Sequence, residues 1–499
     1  MQAAGAAGKA PATPSAWRMG RRSFSIGVSK LGNSRMSQAV FLPITELSRR
    51  IEAGILDPRE LVRAYLARAN GVGRPINAYV AMREDAALGE AASSAQRASR
   101  RERLGALDGI PIAVKDNIDV AGLPTTNGLG GARRAVADAD ADVIRRLRQA
   151  GAIVLGKLNM HEGALGAVND NPHHGRTINP FRDGFTPGGS SGGSGAALAA
   201  GLCAATLGTD TGGSVRIPAA YCGIVGLKPS FGLVSARGVV PLSSRLDHVG
   251  PLTRTAVDAA QMLAVMAGPD PAWTYARCYP RQDYGCLEPA TCRGLRIGVL
   301  ANFAPERVQS AIGSAFSRAV AQFESLGAEV HSVRLPTYDV VRGRRAVFVR
   351  VEVDAAANLG ALYDSEKERF SADMRGYLDW GRRATALRLC EADRTIDSAA
   401  HELDRCFAGV AAIIAPTTPQ AAFPFGGKVP DTQGDLCVLA NMAGCAAISL
   451  PMGMNEDGLP LGLQIMTPRG QDRRALAIAA AYEAAAGWKL TPPPPLGPS

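Results

Sequence analysis

Thr186-Pro187-Gly188-Gly189-Ser190-Ser191-Gly192-Gly193-Ser194-Gly195 opens a segment that continues through an Ala/Leu run into Gly208-Thr209-Asp210-Thr211-Gly212-Gly213-Ser214-Val215-Arg216. Two loops rich in glycine and hydroxyl groups thus flank an apolar piece of helix-and-strand length. Glycine permits backbone conformations and close approaches that a Cβ forbids. A serine in such a loop can be held at an exposed turn, as a nucleophile must be. Gly/Ser clusters also occur as linkers and turns. Two of them around a buried segment, each ending in serine, point to a built site.

Outward from these loops the chain alternates strand and helix. Residues 109–120 read as a buried strand ending in polar groups, followed by a helix at 140–150 and a strand at 152–156. The segment between the Gly/Ser loops supplies a helix at 194–203 and a short strand at 204–208. A further strand–helix–strand pattern falls at 295–301, 307–326 and 328–334, and a largely helical stretch spans 345–408. Strands at 411–415, 446–450 and 461–466 precede a last Ala-rich helix at 471–486. Asp57, Pro58 and Glu60 mark a helix start as N-cap, first helical residue and capping-box acid, and Leu61, Tyr65 and Leu66 form its apolar stripe. Repeated alternation of this kind predicts an α/β fold with helices covering a mostly buried sheet.

The 499 residues are 46% hydrophobic and 20% charged, ordinary for a globular enzyme. No run of 18 apolar residues occurs, so no transmembrane helix is expected. The nine cysteines are scattered, with no C-x-x-C pair, which indicates neither a disulfide framework nor a zinc site. A cytoplasmic location fits this cysteine usage. The net charge of +10 is concentrated at one end: residues 1–45 hold six basic side chains and no acid, leaving 49 basic against 45 acidic residues elsewhere. The body shows no basic stripe of the kind that nucleic-acid binding requires. Residues 1–43 are expected to be a disordered extension, or translation assigned upstream of a start at Met36. Arg21-Arg22 lacks the apolar segment of an export signal, and an Arg/Ser-rich transit peptide is the compositional alternative. Residues 491–499 are expected to be a disordered Pro-rich tail.

Lysine is scarce, eight against 47 arginines, and Lys115 closes a long apolar strand before Asp116-Asn117. Burial disfavours an ammonium and lowers its pKa, making such a lysine a usable base near neutrality. A lysine snorkelling from a strand end is the structural alternative, and Lys157 and Lys228 also follow apolar runs. Gly188 to Gly192 matches G-x-S-x-G, but that nucleophile elbow needs a strand directly before it, and Pro180 to Pro187 is not one. Neither loop contains a P-loop pattern, and His161-Glu162 lacks the second histidine of a zinc protease motif.

Asp108-Gly109-Ile110-Pro111-Ile112-Ala113-Val114-Lys115-Asp116, Pro187 to Ser194 and Gly208 to Ala220 resemble, in order and spacing, the motifs of the amidase signature family. The match runs from about Leu107 to Leu263, with weaker similarity over 44–487. The resemblance implies the amidase-signature fold: one catalytic domain over 44–490, built on a large mixed central β-sheet covered by helices on both faces. It implies a Ser–cis-Ser–Lys triad at Ser214 (nucleophile), Ser190 (bridge, after a cis Gly189–Ser190 peptide) and Lys115 (base). An oxyanion hole from the N–H groups of Thr211, Gly212 and Gly213 with Ser214, and an acyl-enzyme scheme, follow from it. Ser191 is expected to hydrogen-bond Lys115, and Asp210 to brace the second loop. Arg216 is expected to be structural, and Ser194 to belong to a helix start. No metal and no cofactor are expected. The function implied is an amidase hydrolysing the C–N bond of a small or aryl/alkyl carboxamide. Its expected partner is a small-molecule amide, with no nucleic acid or membrane, and a homodimer is left open. The alternative is the glutaminase component, called the A subunit, of a tRNA-dependent glutamyl/aspartyl amidotransferase. That component carries an RYDGVRYG-like motif, from which Leu362-Tyr363-Asp364-Ser365-Glu366-Lys367-Glu368 departs, and a YxxD pattern against which Asp435 is out of register.

Overall fold

The computed structural model describes residues 36–488 apart from 37, 132–135, 286, 288–290 and 304. The expectations for residues 1–35 and for the tail from 491 lie outside the described residues. The described part of the expected extension packs on the body: Val40 is buried, and its carbonyl accepts the Tyr65 hydroxyl at 3.0 Å.

Among the described residues eleven strands form one mixed sheet. In chain order they are β1 (Tyr79–Met82), β2 (Pro111–Lys115), β3 (Ile153–Leu158), β4 (Ala205–Asp210), β5 (Val225–Lys228) and β6 (His248–Thr253). They continue with β7 (Arg296–Leu300), β8 (Glu329–Val333), β9 (Ala412–Pro416), β10 (Ala446–Met454) and β11 (Pro460–Thr467). Their spatial order is β1-β3-β2-β4-β6-β5-β10-β11-β9-β7-β8. Every residue of β2, β3 and β4 is buried, the signature of strands covered on both faces. Alternate residues of β9 separate the two sides: Ala412 and Ile414 join one apolar cluster, and Ile413 and Ala415 join another. Successive side chains of a strand point to opposite faces, so the two clusters lie on opposite faces of the sheet.

The helices that matter for the site are α1 (Pro58–Asn70), α2 (Gly192–Ala199), α3 (Arg216–Tyr221), α4 (Val340–Ser365), α5 (Ala372–Arg383), α6 (Ala386–Phe407) and α7 (Val438–Ala443). Asp57 caps α1 by accepting from the Arg59 N–H at 2.7 Å, with Pro58 at the first helical position. The helical excursion α4–α6 supplies much of one cluster through Val347, Val351, Met374, Leu378, Ile396 and Leu403.

The α/β alternation emerges at the expected places, with one informative difference. The long strand read at 109–120 stops at Lys115. The Ile118 N–H turns back onto the Lys115 carbonyl at 3.1 Å, so Asp116-Asn117 leave the sheet as a turn. That turn leaves Lys115 at the very end of a buried central strand.

Candidate active site

β2 and β4 lie side by side and parallel, with Ile112 opposite Ala205 and Val114 opposite Leu207. The register carries Lys115 to the end of β4, where Gly208, Thr209 and Asp210 run into the second Gly-rich loop. Lys115 is fully buried. Its Nζ lies 2.7 Å from Ser190 Oγ, 2.8 Å from Thr209 Oγ1 and 3.5 Å from the Thr209 carbonyl. Burial lowers the Lys115 pKa to about 7, against the attraction of Asp247 and Asp210, which raise it.

The first loop reaches Lys115 through a backbone that requires its glycines. The Gly189–Ser190 peptide is cis, and Gly188 sits at φ +81°. A Cβ on Gly189 would lie 2.9 Å from the Val168 nitrogen and 2.8 Å from the Ala167 carbonyl carbon. Ser190 is buried, and its carbonyl accepts the His161 N–H at 3.0 Å. Ser191 does not bond to Lys115: its Oγ donates to the Thr209 carbonyl at 3.2 Å, and its N–H donates to the Ser214 carbonyl at 3.2 Å. The two loops are thus tied together beside Ser190. Ser194 lies in the first turn of α2, with its Oγ donating to the Leu207 carbonyl. Among the described residues no strand runs directly into Ser190, so the elbow geometry is absent there.

Ser214 is half-buried, whereas Lys115, Ser190 and Ser191 are buried. Among the described residues no hydrogen bond engages its Oγ. Asp210 shapes the loop that carries it. The Asp210 carboxylate accepts the Gly213 N–H at 2.8 Å, the Val215 N–H at 3.1 Å and the Asn441 Nδ2–H at 2.9 Å. Arg216 donates to the same carboxylate through Nε at 3.0 Å and Nη2 at 2.8 Å. Burial would push the Asp210 pKa up, but the charge and hydrogen bonds of Arg216 outweigh it and hold the carboxyl far below the usual range. The Gly213 N–H is therefore occupied by Asp210 and leaves the set of free amides expected for an oxyanion hole. Among the described residues the N–H groups of Thr211, Gly212 and Ser214 have no protein acceptor.

Four residues of the site carry no readable signal in the sequence. Thr209 bonds Lys115, and Asn117 Nδ2 donates to Thr209 Oγ1 at 3.0 Å. Asp247 accepts the Thr211 hydroxyl at 2.6 Å and the N–H groups of Leu242 and Ser243 at 2.8 and 3.0 Å. Burial raises its pKa to about 6. His161 accepts the Asn169 N–H on Nδ1 at 3.2 Å, and burial lowers its pKa to about 4, so the ring is neutral near pH 7. Among the described residues no group of three or more His, Cys, Asp or Glu is placed to hold a metal ion, and no helix is long and apolar enough to cross a membrane.

A family model described as Amidase matches residues 60–476. The A subunit of the glutamyl-tRNA(Gln) amidotransferase of Gloeobacter violaceus is 35% identical over 464 residues, 87% of this chain and 94% of that protein. Among solved structures, the native peptide amidase of Stenotrophomonas maltophilia superposes with a TM-score of 0.82 at 31% identity, covering 91% of this chain and 98% of that one. The A subunit of the glutamyl-tRNA(Gln) amidotransferase of Thermotoga maritima gives 0.76 at 30% identity, covering 89% and 94%. The expected partner, a small-molecule amide with no nucleic acid, is overturned by the amidotransferase relatives, which are named for a tRNA and as one subunit of an enzyme. Fold, motif order and family match agree, and the chain belongs to the amidase signature family.

Proposed function

We propose that this chain is the amide-cleaving A-type subunit of a tRNA-dependent amidotransferase, releasing ammonia from the side-chain amide of a glutamine donor. The observation that carries this reading is the near full-length similarity to proteins bearing that name, 87% of this chain and 94% of the relative. In this reading Ser214 Oγ attacks the carboxamide carbon while its proton passes to Ser190 Oγ and the Ser190 proton passes to neutral Lys115 Nζ. The 2.7 Å contact between Lys115 and Ser190 and the pKa of about 7 support Lys115 as the base. The N–H groups of Thr211, Gly212 and Ser214 receive the developing oxyanion. Each such donor is worth roughly a hundredfold to a thousandfold in rate. The relay then returns the proton to the departing nitrogen, the C–N bond breaks, and ammonia leaves an acyl-enzyme that water hydrolyses. A cytoplasmic setting goes with this reading, as the described cysteines are all free.

The experiment is ammonia release from glutamine by the chain alone, and by the chain mixed with its partner subunits and glutamyl-tRNA. Glutamine cleavage that depends on the partners is expected. Full-rate cleavage of simple carboxamides by the chain alone, unchanged by partners and tRNA, would overturn the reading in favour of a free-standing amidase. Leu362–Glu368, at the end of α4 and beyond, is where that outcome would find its explanation.

A further inference from the structure

We propose that Thr209, held by Asn117, is the residue that aims the Lys115 lone pair at Ser190. The inference rests on the catalytic roles given to Lys115, Ser190 and Ser214 above, and assigns a positioning role to two side chains outside that triad.

A lysine amine acts as a base only along its single lone pair. Lys115 Nζ has three oxygen neighbours: Ser190 Oγ at 2.7 Å, Thr209 Oγ1 at 2.8 Å and the Thr209 carbonyl at 3.5 Å. In the ammonium state each N–H points at one of them. The proton that arrives during catalysis comes from Ser190, so it lies on the Ser190 line. When it returns, the two remaining hydrogens stay on the two Thr209 oxygens, and the lone pair is left facing Ser190 without any rotation of the amine. Thr209 therefore does for lysine what a fixed hydrogen bond on one ring nitrogen does for a catalytic histidine.

Asn117 holds Thr209 in that role. Its Nδ2 donates to Thr209 Oγ1 at 3.0 Å, so the threonine oxygen accepts from two sides. The Asn117 backbone is itself fixed, its main-chain carbonyl accepting the Val240 N–H at 2.8 Å, and its side chain is buried. Ser191, by contrast, spends its hydroxyl on the Thr209 carbonyl. That bond also pins the backbone of Thr209. The charged groups facing Lys115 are Asp210 at the end of β4 and Asp247 before β6, with the neutral His161 on the Ser190 side. None of them hydrogen-bonds Nζ.

The test uses the full chain and a fluorophosphonate probe, whose phosphorus Ser214 attacks with loss of fluoride, so no substrate identity is assumed. Labelling rate is followed against pH for wild type, Thr209→Val, Thr209→Ser and Asn117→Ala. Thr209→Val removes an acceptor of the ammonium, so its plateau rate is expected to fall about tenfold or more. Its acid limb is expected to move about one pH unit lower, because losing a hydrogen bond to the charged form disfavours that form. Thr209→Ser keeps the oxygen and should keep the wild-type limb and a rate within about twofold. Asn117→Ala should slow labelling by less than Thr209→Val. A Thr209→Val variant with the wild-type plateau and limb would overturn the proposal, and so would a Thr209→Ser variant as slow as Thr209→Val. A wild-type chain in which Ser214 takes no label would overturn the catalytic assignment itself. A labelled wild type with a limb near pH 7 and indifferent variants would sink only the role of Thr209 and Asn117.

Discussion

Replacing Arg216 by methionine tests what holds the Ser214 loop, the proposed nucleophile loop, in shape. Arg216 is fully buried, and all of its N–H groups are used. Nε and one Nη2 hydrogen go to Asp210, and the other Nη2 hydrogen goes to Asn441 Oδ1 at 2.5 Å. Nη1 donates to the Cys437 carbonyl at 2.9 Å and Gln464 Oε1 at 2.6 Å. Arg216→Met leaves the Asp210 charge buried and unpaired, and strips three further acceptors. Breaking a buried pair by removing one partner costs about 3–5 kcal/mol, a large share of the roughly 5–15 kcal/mol that keeps a domain folded. The double variant Asp210→Asn/Arg216→Met removes both charges and should recover part of that loss. The pH dependence gives the sharper reading. In the wild type the Asp210 pKa is depressed by Arg216, so its contribution to stability is present above the unfolded carboxyl pKa and lost as pH falls through the folded value. In Arg216→Met burial is opposed only by the hydrogen bonds from Asn441, Gly213 and Val215 and by the Lys228 charge, so the folded pKa moves up and the stability contributed by the charged form shrinks. The destabilisation should therefore be largest near pH 8 and shrink toward pH 5. Urea titrations followed by tryptophan fluorescence at both pH values measure it. A deficit below about 1 kcal/mol, or one that does not change with pH, would refute the claim that Arg216 neutralises a buried Asp210.

Ser214→Ala should abolish fluorophosphonate labelling and ammonia release, whereas Lys115→Met should lower both by about a hundredfold to ten-thousandfold, the range of a lost general base; wild-type turnover in either contradicts the relay. In the proposed relay Lys115 acts as the neutral amine, and its pKa is about 7, so the labelling rate should fall about tenfold per pH unit below that value, and a flat rate from pH 5 to 7 would count against it. Gly213→Ala should inactivate the chain and destabilise it by about 1–3 kcal/mol, because φ is +122° and the new Cβ would lie 2.7 Å from Cys437 Cβ. Gly212→Ala meets only Val438 Cγ1 at 3.5 Å and should fold normally; comparing the two by thermal melting separates loop packing from a general intolerance of side chains there.

The strand ending at Lys115 and both Gly/Ser loops are legible because each is a local pattern: an apolar run ending in Lys115, and glycines where the backbone approaches other chain segments. The reach of the strand after Lys115 is not, since Ile118 and Val120 continue the apolar pattern while a turn bond, invisible to periodicity, ends the strand. Adjacency to Ser190 points Ser191 at Lys115, yet its hydroxyl goes to the Thr209 carbonyl. The family resemblance implies Gly213 as an oxyanion donor, yet Asp210 already takes its N–H. Thr209 and Asn117 are unreadable for a different reason. Thr209 meets Lys115 and Asn117 only because β2 and β4 pair in parallel at one register, and no single-sequence pattern states which strands are neighbours. The same holds for Asp247, which reaches Thr211 across 36 residues.

The distribution of these contacts along the chain explains why the motifs name a chemistry without naming its user. Lys115, Ser190, Thr209, Asp210 and Ser214 all lie between β2 and β6. The groups that lock the nucleophile loop from behind come from the last quarter of the chain: the Cys437 carbonyl, Asn441 and Gln464 all accept from Arg216. Between these two contributions runs the α4–α6 excursion, which touches the site from a third side. Met374 of α5 packs against Gly163, and the Ser371 N–H donates to Glu162 Oε1 at 2.8 Å, next to the His161 that bonds Ser190. Arg344 of α4 holds the segment before α7, donating to Asp431 and Asp435 at 3.0 Å each. Gly434 of that segment lies over the nucleophile loop, where a Cβ on it would sit 3.2 Å from the Gly212 carbonyl. An amide-cleaving core can thus stay fixed while α4–α6 and the 431–435 segment change what is admitted to it. The stretch where this chain departs from the RYDGVRYG pattern falls at the end of α4 and just beyond it, within that excursion. Exchanging residues 362–369 for that eight-residue pattern should therefore alter which amide is cleaved and leave the pH limb set by Lys115 where it is. A shift of the limb on that exchange would show that core and excursion are not separable.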